Sequence, residues 1–361
     1  MELMFQHNIS LMRYLPVFGE KSKSSSSFNK SVSVIPPVIP TVKNLFPSNT
    51  SHIINTTNLN QSHTPAVISP NISSLLPTKE PIKNGSLPLC PLVPPKLVGP
   101  LATYTNAISF EEILKNTPDL QPGGRYKPKD CVARHKVAII IPYRDRITHL
   151  QILLQNLHPI LQRQLIDYGI YVVDMTLPTS FNRAMLMNIG FAEALKIYDY
   201  QCFIFHDVDL IPENDRNLYT CPESPRHMSV AVDKFKYRLP YSGIFGGVSA
   251  LTKEQMIKTN GYSNLYFGWG GEDDDMNARI HRKGYKVIRY SVDVARYKMI
   301  KHAHEKSNPV NPKRYKLINT GKTRQDKDGI NSLKYKVAKI EFLPTYTYIL
   351  TTINQTEVMA R

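Results

Sequence analysis

Two aspartates, Asp207 and Asp209, follow the apolar run Cys202-Phe203-Ile204-Phe205-His206 and precede Leu210-Ile211-Pro212. Side chains alternate along a strand, so carboxylates at i and i+2 point the same way if strand geometry persists. Hard divalent cations such as Mg²⁺ or Mn²⁺ take oxygen ligands of this kind, and a nucleotide diphosphate could supply the rest. Taken alone, the pair also reads as an Asp-rich turn after a strand.

The most unusual stretch by composition is Gly268-Trp269-Gly270-Gly271-Glu272-Asp273-Asp274-Asp275, which holds the chain's single tryptophan and four consecutive carboxylates. Acidic residues in a first helical turn are favoured by the helix dipole, which accounts for the carboxylates but not for Gly-Trp-Gly-Gly. Glycines let the backbone approach a ligand, and an indole face stacks on a sugar ring. Beside a metal–diphosphate site, the stretch suggests sugar binding with a general base. Met299 and His302 put a thioether and an imidazole at i and i+3. Imidazole suits Mn²⁺-like ions and a thioether is soft, so by itself this pair reads as a packed Met beside a surface His. Arg144, Arg146 and Arg183 carry forks that could hold a diphosphate, or could remain solvated.

These residues need elements to position them. Val137 to Pro142 is a continuous apolar run of buried parallel-strand type. Leu150 to about Gln164 has helical spacing, Tyr168 to Asp174 reads as a second strand, Asn182 to Lys196 as a second helix, and the run into Asp207 as a third strand. This alternation predicts an α/β fold with a mostly parallel central sheet flanked by helices. Ligands bind beyond the carboxyl ends of such strands, which places the site near Pro142, Asp174 and Asp207. Further along, Phe110 to Leu114 reads as a short helix capped by Ser109, Lys253 to Lys258 and Glu272 to about Lys283 as helices, Lys286 to Tyr290 as a strand, and Tyr335 to Ile353 as two β-rich runs.

Residues 1–88 are rich in Ser, Asn, Thr and Pro and read as a disordered, stalk-like segment, leaving 89–361 as the globular domain. The chain has 361 residues with 45 Lys+Arg against 29 Asp+Glu, a formal charge of +16. Basicity favours anionic partners. No nucleic-acid-binding motif accompanies it, so a solvated basic surface is preferred and nucleic acid is not expected as a partner. The four cysteines, Cys90, Cys131, Cys202 and Cys221, form no C-x-x-C; an even number suits disulfides in an oxidising compartment. Asn-x-Ser/Thr sequons from Asn8 to Asn354 agree with that compartment. No N-terminal stretch reaches the ~18 apolar residues of a membrane span, so an anchor is not recognisable.

From Cys90 to about Tyr348 the chain resembles the β-1,4-galactosyltransferase family, type II Golgi enzymes with a GT-A-like fold. The matching runs are Gly123-Gly124-Arg125-Tyr126, Val137 to Arg146, Phe181-Asn182-Arg183-Ala184, Asp207 to Pro212, Phe245 to Ala250 and Gly268 to Asp275. The resemblance implies Mn²⁺ as cofactor, held by Asp209, Met299 and His302. It implies UDP contacts at Pro142, Arg144, Arg146, Phe181, Arg183, Asp207 and Val208. Asp273 then looks like the catalytic base with Glu272 beside it, and Ile244, Gly247, Trp269 and Asp274 surround donor sugar and acceptor. Arg314, Tyr315 and Ile318 match a pocket for the acceptor's N-acetyl group, and the cysteines match the pairs Cys90–Cys131 and Cys202–Cys221.

The activity so implied is inverting transfer from a UDP-sugar to the 4-hydroxyl of a terminal GlcNAc, with a mobile loop around His302 to Ile318 closing over the donor. Where galactose-transferring members carry Tyr before Phe-Gly-Gly, this chain has Ile244. The smaller side chain leaves room for a 2-acetamido group, so UDP-GalNAc is the expected donor and UDP-Gal the alternative. Residence in the Golgi lumen is expected from the resemblance. A non-catalytic sugar-binding protein is the rival class, and its mark would be loss of Asp209, His302 or Asp273, all of which are present.

Overall fold

The computed structural model describes residues 87–301 and 308–360. The stalk-like segment assigned to residues 1–88 therefore lies almost wholly outside the described residues, as does His302.

The elements run α1 (Phe110–Asn116), β1 (Lys136–Tyr143), α2 (Ile147–Arg163), β2 (Asp167–Met175), α3 (Arg183–Ile197), β3 (Cys202–His206), β4 (Leu210–Pro212), β5 (Arg226–His227), β6 (Ala231–Val232), β7 (Val248–Thr252), α4 (Lys253–Thr259), α5 (Glu272–Arg282), β8 (Arg296–Met299), α6 (Arg314–Arg324), β9 (Lys336–Phe342), β10 (Thr347–Thr352) and α7 (Gln355–Met359). Seven strands form one sheet in the order β5-β7-β3-β1-β2-β10-β9, and β4-β8-β6 form a smaller one. The four central strands β3, β1, β2 and β10 are parallel, as expected, while β7, β5 and β9 extend the flanks antiparallel.

The apolar run in β1 is continuous because both of its faces are covered. Val137, Ile139 and Ile141 face a core shared with Leu150, Leu153, Leu154 and Leu157 of α2. Ala138 and Ile140 face the opposite core with Met185, Leu186 and Ile189 of α3. Ser109 caps α1 through the Glu112 N–H, as its sequence suggests. Asn182 caps α3 by accepting from the Met185 N–H at 2.9 Å, which makes Arg183 the first helical residue, at the rim of the sheet.

Two expectations need correction. Lys286–Tyr290 is not a strand: it makes a single bridge, Ile288 with Arg226, and the strand lies later, at Arg296–Met299. Strand geometry also fails to persist through Asp207-Val208-Asp209. β3 ends at His206, the Leu210 N–H bonds back to the Asp207 carbonyl at 3.4 Å, and the chain re-enters as β4 of the other sheet. The two aspartates consequently serve different surroundings. Among the described residues, no helix is long and apolar enough to cross a membrane.

Candidate functional site

The carboxyl ends of β1, β2 and β3 open on one rim. Pro142 stands beside Val173 near the end of β1, and Arg144 follows, nearly buried. The Arg144 guanidinium donates to the Thr179 carbonyl at 3.0 Å and lies 5.3 Å from the centre of the Phe181 ring. Arg146 occupies the N-cap position of α2. Arg144 and Phe181 thus meet, and the Phe181 carbonyl also accepts from the Gly268 N–H at 2.8 Å, joining this rim to the Gly-Trp loop.

Arg183 ties the two acidic motifs together. Its Nε donates to Asp207 Oδ1 at 2.6 Å, Nη1 to Glu272 Oε1 at 3.2 Å, and Nη2 to the Gly247 carbonyl at 3.4 Å. Burial raises the Asp207 carboxyl, with Asp209 and Asp273 adding to the rise against the pull of Arg183. Burial and the Asp273 charge raise Glu272 in the same way. Burial works against the Arg183 cation, yet the two carboxylates hold its pKa above the usual value.

Asp209 and Met299 come together through the β4–β8 ladder. Leu210 pairs with Met299, and the Ile300 N–H donates to the Asp209 carbonyl at 2.8 Å. The Met299 N–H is held by Asp233 Oδ1 at 2.9 Å. Val208 and Met299 both pack on the α2-side core. A divalent cation fits this setting: Asp209 offers a hard oxygen, and a cation would offset the repulsion between the neighbouring Asp207 and Asp209 charges. Met299 and, from outside the described residues, His302 would complete the set.

The four consecutive carboxylates of α5 divide by environment. Asp275 is fully buried and structural: Arg279 Nε donates to it at 3.0 Å and Arg279 also pairs with Asp328. Glu272 belongs to Arg183. Asp274 Oδ1 accepts from the Tyr241 hydroxyl at 2.9 Å, and burial, then Asp273, raises its carboxyl. Asp273 is left half-buried, facing Gly246. A β-carbon at Gly246 would stand 2.7 Å from Asp273 Oδ2, so a larger residue there would have to displace that carboxylate.

The glycines of the Gly-Trp loop permit the next contact. At Gly268, where φ is +88°, a β-carbon would meet the Pro309 carbonyl at 2.6 Å. Trp269 pairs its backbone with that segment, donating to Pro309 and accepting from Asn311, each at 2.9 Å. Its ring is 55% exposed. Arg314 and Ile318 of α6 lie against Gly270 and Gly271, and the Arg314 guanidinium sits 4.6 Å from the Tyr315 ring centre, itself 64% exposed. Two exposed aromatic side chains therefore flank the Gly-Trp loop and the start of α6, which suits a polyhydroxylated ligand with apolar sugar faces.

Ile244 is half-buried in the loop entering β7, its carbonyl accepting from Arg289 Nη2 at 2.8 Å. Cys90 pairs with Cys131 and Cys202 with Cys221. The second bond fastens the start of β3, whose far end presents Asp207. Sequence reading missed Tyr241, His227 and Arg289, which touch the site. No local signal marks them, because their partners lie 33, 19 and 45 residues away.

The chain is similar to known proteins along most of the described residues. Residues 90–222 match the family model described as the N-terminal region of glycosyl transferase group 7, and residues 226–303 the model described as the N-terminal domain of galactosyltransferase. The chain is 53% identical over 281 residues to beta-1,4-galactosyltransferase 1 of Mus musculus, covering 77% of this chain and 70% of that protein. It is 52% identical over 265 residues to the Homo sapiens protein of the same name, covering 73% and 67%. Among solved structures it resembles the catalytic domain of Drosophila beta1,4galactosyltransferase 7 in complex with xylobiose, with TM-score 0.53 and 30% identity over 61% of this chain and 94% of that one. A mutant of the same enzyme, in complex with manganese, UDP-Gal and xylobiose, matches equally.

Proposed function

The chain belongs to the β-1,4-galactosyltransferase family, and from that premise we propose that it moves a galactose-type sugar from a UDP donor to the 4-hydroxyl of a terminal GlcNAc, with inversion and with Mn²⁺. The observation that carries this reading is the sorting of the α5 carboxylates: Asp273 is seated on Gly246 while Glu272 is fastened to the guanidinium that also holds Asp207.

In this reading, Arg144, Arg146 and Arg183 bind the UDP end of the donor, with Pro142, Phe181 and Val208 around the nucleotide. Asp209, Met299 and His302 hold Mn²⁺, which when bound supplies Lewis-acid stabilisation of the leaving diphosphate. Asp273 takes the proton of the acceptor hydroxyl. The acceptor oxygen then bonds to the anomeric carbon as the bond to the UDP oxygen breaks on the opposite face, giving a β linkage from an α-linked donor. Glu272, Gly247, Trp269 and Asp274 shape the sugar site, and Arg314, Tyr315 and Ile318 receive the acceptor's N-acetyl group.

UDP-Gal is the donor that the relatives support, since those named above are galactosyltransferases and the Drosophila mutant complex holds UDP-Gal. The expectation of UDP-GalNAc finds no support among them. It remains a second reading because of one specific residue, Ile244, whose aliphatic side chain leaves space beside the donor's C2. In this reading the protein is a type II membrane protein of the Golgi lumen, with residues 1–88 as stalk and 89–361 as catalytic domain, as its resemblance to the family supports.

Initial rates with UDP-Gal and UDP-GalNAc on a GlcNAc acceptor, with Mn²⁺ and with EDTA, test this reading. Mn²⁺-dependent transfer with UDP-Gal faster is expected. Faster GalNAc transfer moves the donor assignment to the second reading, and no transfer from either donor overturns the enzyme assignment.

A further inference from the structure

The bridge between Arg226 and Ile288 does more than replace the expected strand. The His227 N–H donates to the Ile288 carbonyl at 3.0 Å, and the Ile288 N–H to the Pro225 carbonyl at 3.0 Å, which sets Arg289 beside the His227 ring. Arg289 Nε donates to His227 Nδ1 at 3.1 Å. Its Nη2 donates to the carbonyls of Ser242 at 2.9 Å and Ile244 at 2.8 Å. His227 Nε2 in turn lies 3.0 Å from the Gly246 carbonyl, which also accepts from Ser229 Oγ at 3.1 Å.

The directions of these bonds follow from donor chemistry. A guanidinium only donates, so Nδ1 is the bare nitrogen of His227. The proton is therefore on Nε2, which donates to a carbonyl that can only accept. Burial, with the Arg289 charge adding, pushes the ring's pKa down to about 3, so this neutral tautomer persists at any working pH. Three alternate carbonyls of the loop, those of Ser242, Ile244 and Gly246, are thus held by Arg289, directly or through His227.

We propose that Arg289 and His227 are positioning residues that hold the loop 242–246, setting through Ile244 the space beside the donor's C2 and through Gly246 the seat of Asp273. The proposal rests on the roles given to Ile244 and Asp273 above. A guanidinium serves here because one planar fork spans two carbonyls and an imidazole, a geometry an ammonium cannot reproduce.

The test is donor kinetics with UDP-Gal and UDP-GalNAc in Mn²⁺, for Arg289→Ala, Arg289→Lys, His227→Gln and His227→Phe, with Ile244→Tyr as control and the thermal midpoint of each variant. Arg289 is half-buried and belongs to neither hydrophobic core. Arg289→Ala is expected to lower kcat/KM for the preferred donor about tenfold, the size of one lost charged hydrogen bond, and to bring the donor ratio towards one. The acceptor KM and the midpoint should hardly move. Arg289→Lys should fail likewise despite keeping the charge. His227→Gln, whose amide can still donate to Gly246, should retain most activity where His227→Phe does not. An unchanged kcat/KM and donor ratio in Arg289→Ala overturns the proposal, as does a His227→Gln enzyme as impaired as His227→Phe. If Ile244→Tyr leaves the donor ratio unchanged, the donor reading of Ile244 fails instead, and the kcat of Arg289→Ala still decides the seating of Asp273.

Discussion

Gly246 lies against Asp273 with no room for a methyl group: a β-carbon there would come 2.7 Å from Oδ2. The loop is thereby a gauge for the position of one carboxylate. Gly246→Ala should push Asp273 aside and lower kcat by roughly tenfold to a hundredfold, since a displacement near 1 Å costs about that much. Gly246 is half-buried and touches a side chain rather than backbone, so the unfolding midpoint should change little. Steady-state kinetics beside a thermal melt checks this, and undiminished kcat would remove Asp273 from its role.

The role proposed for Ile244 in donor choice is tested by substitution. Replacing it by Tyr fills the space beside C2 and should shift the kcat/KM ratio towards UDP-Gal by about tenfold to two-hundredfold, the range one pocket residue commands. Parallel assays of both donors measure the shift. A ratio equal to that of the unmodified protein would falsify the assignment of this position.

Neighbouring carboxylates should fail in opposite ways. Asp275 is fully buried against Arg279, so Asp275→Ala leaves that guanidinium with Asp328 as its one remaining carboxylate and should cost about 3 kcal/mol of stability. Asp274 shares a half-exposed hydrogen bond with Tyr241, so Asp274→Asn should cost about 1 kcal/mol at most while impairing transfer. Urea titrations of the two variants decide, and equal destabilisation would contradict the division of the run.

His158 predicts a pH effect on stability. Its ring is fully buried, with Nε2 at 2.9 Å from the Thr345 carbonyl and Nδ1 at 2.8 Å from the Tyr168 hydroxyl, and burial pushes its pKa down to about 4. In the unfolded chain the ring takes a proton from about pH 6.5 downward. Protons therefore favour the unfolded chain, and this contribution to stability, complete above pH 6.5, is lost as pH falls towards 4. The loss should approach about 1.4 kcal/mol per pH unit. Other buried groups titrate over the same range, so the measured quantity is the difference between the unmodified protein and His158→Gln in urea unfolding at pH 7 and pH 5. The variant should lose less stability on acidification, and parallel curves would sink the assignment.

The sequence by itself determined the scaffold and most of the rim. Val137 to Pro142, Tyr168 to Asp174 and the run into Asp207 are apolar because both faces of a central parallel strand are buried. A one-dimensional pattern records that burial. The same order fixes where those strands end, and hence that Arg144, Arg183 and Asp207 share a rim. Similarity of the long runs then named the family.

Tertiary structure decided what distant segments do to each other. Glu272, Asp273, Asp274 and Asp275 are alike in sequence, and only Arg183, Gly246, Tyr241 and Arg279 give each a different environment. Asp207 and Asp209 diverge because the chain leaves the large sheet at β4 to pair with β8, where Pro212 meets Tyr297, 85 residues further along. Arg289 lay within a stretch expected to be a strand, and its contacts with His227 and Ile244 depend on a single bridge. Local propensity carries no record of such pairings, since the energy that selects them is realised only when remote parts of the chain meet.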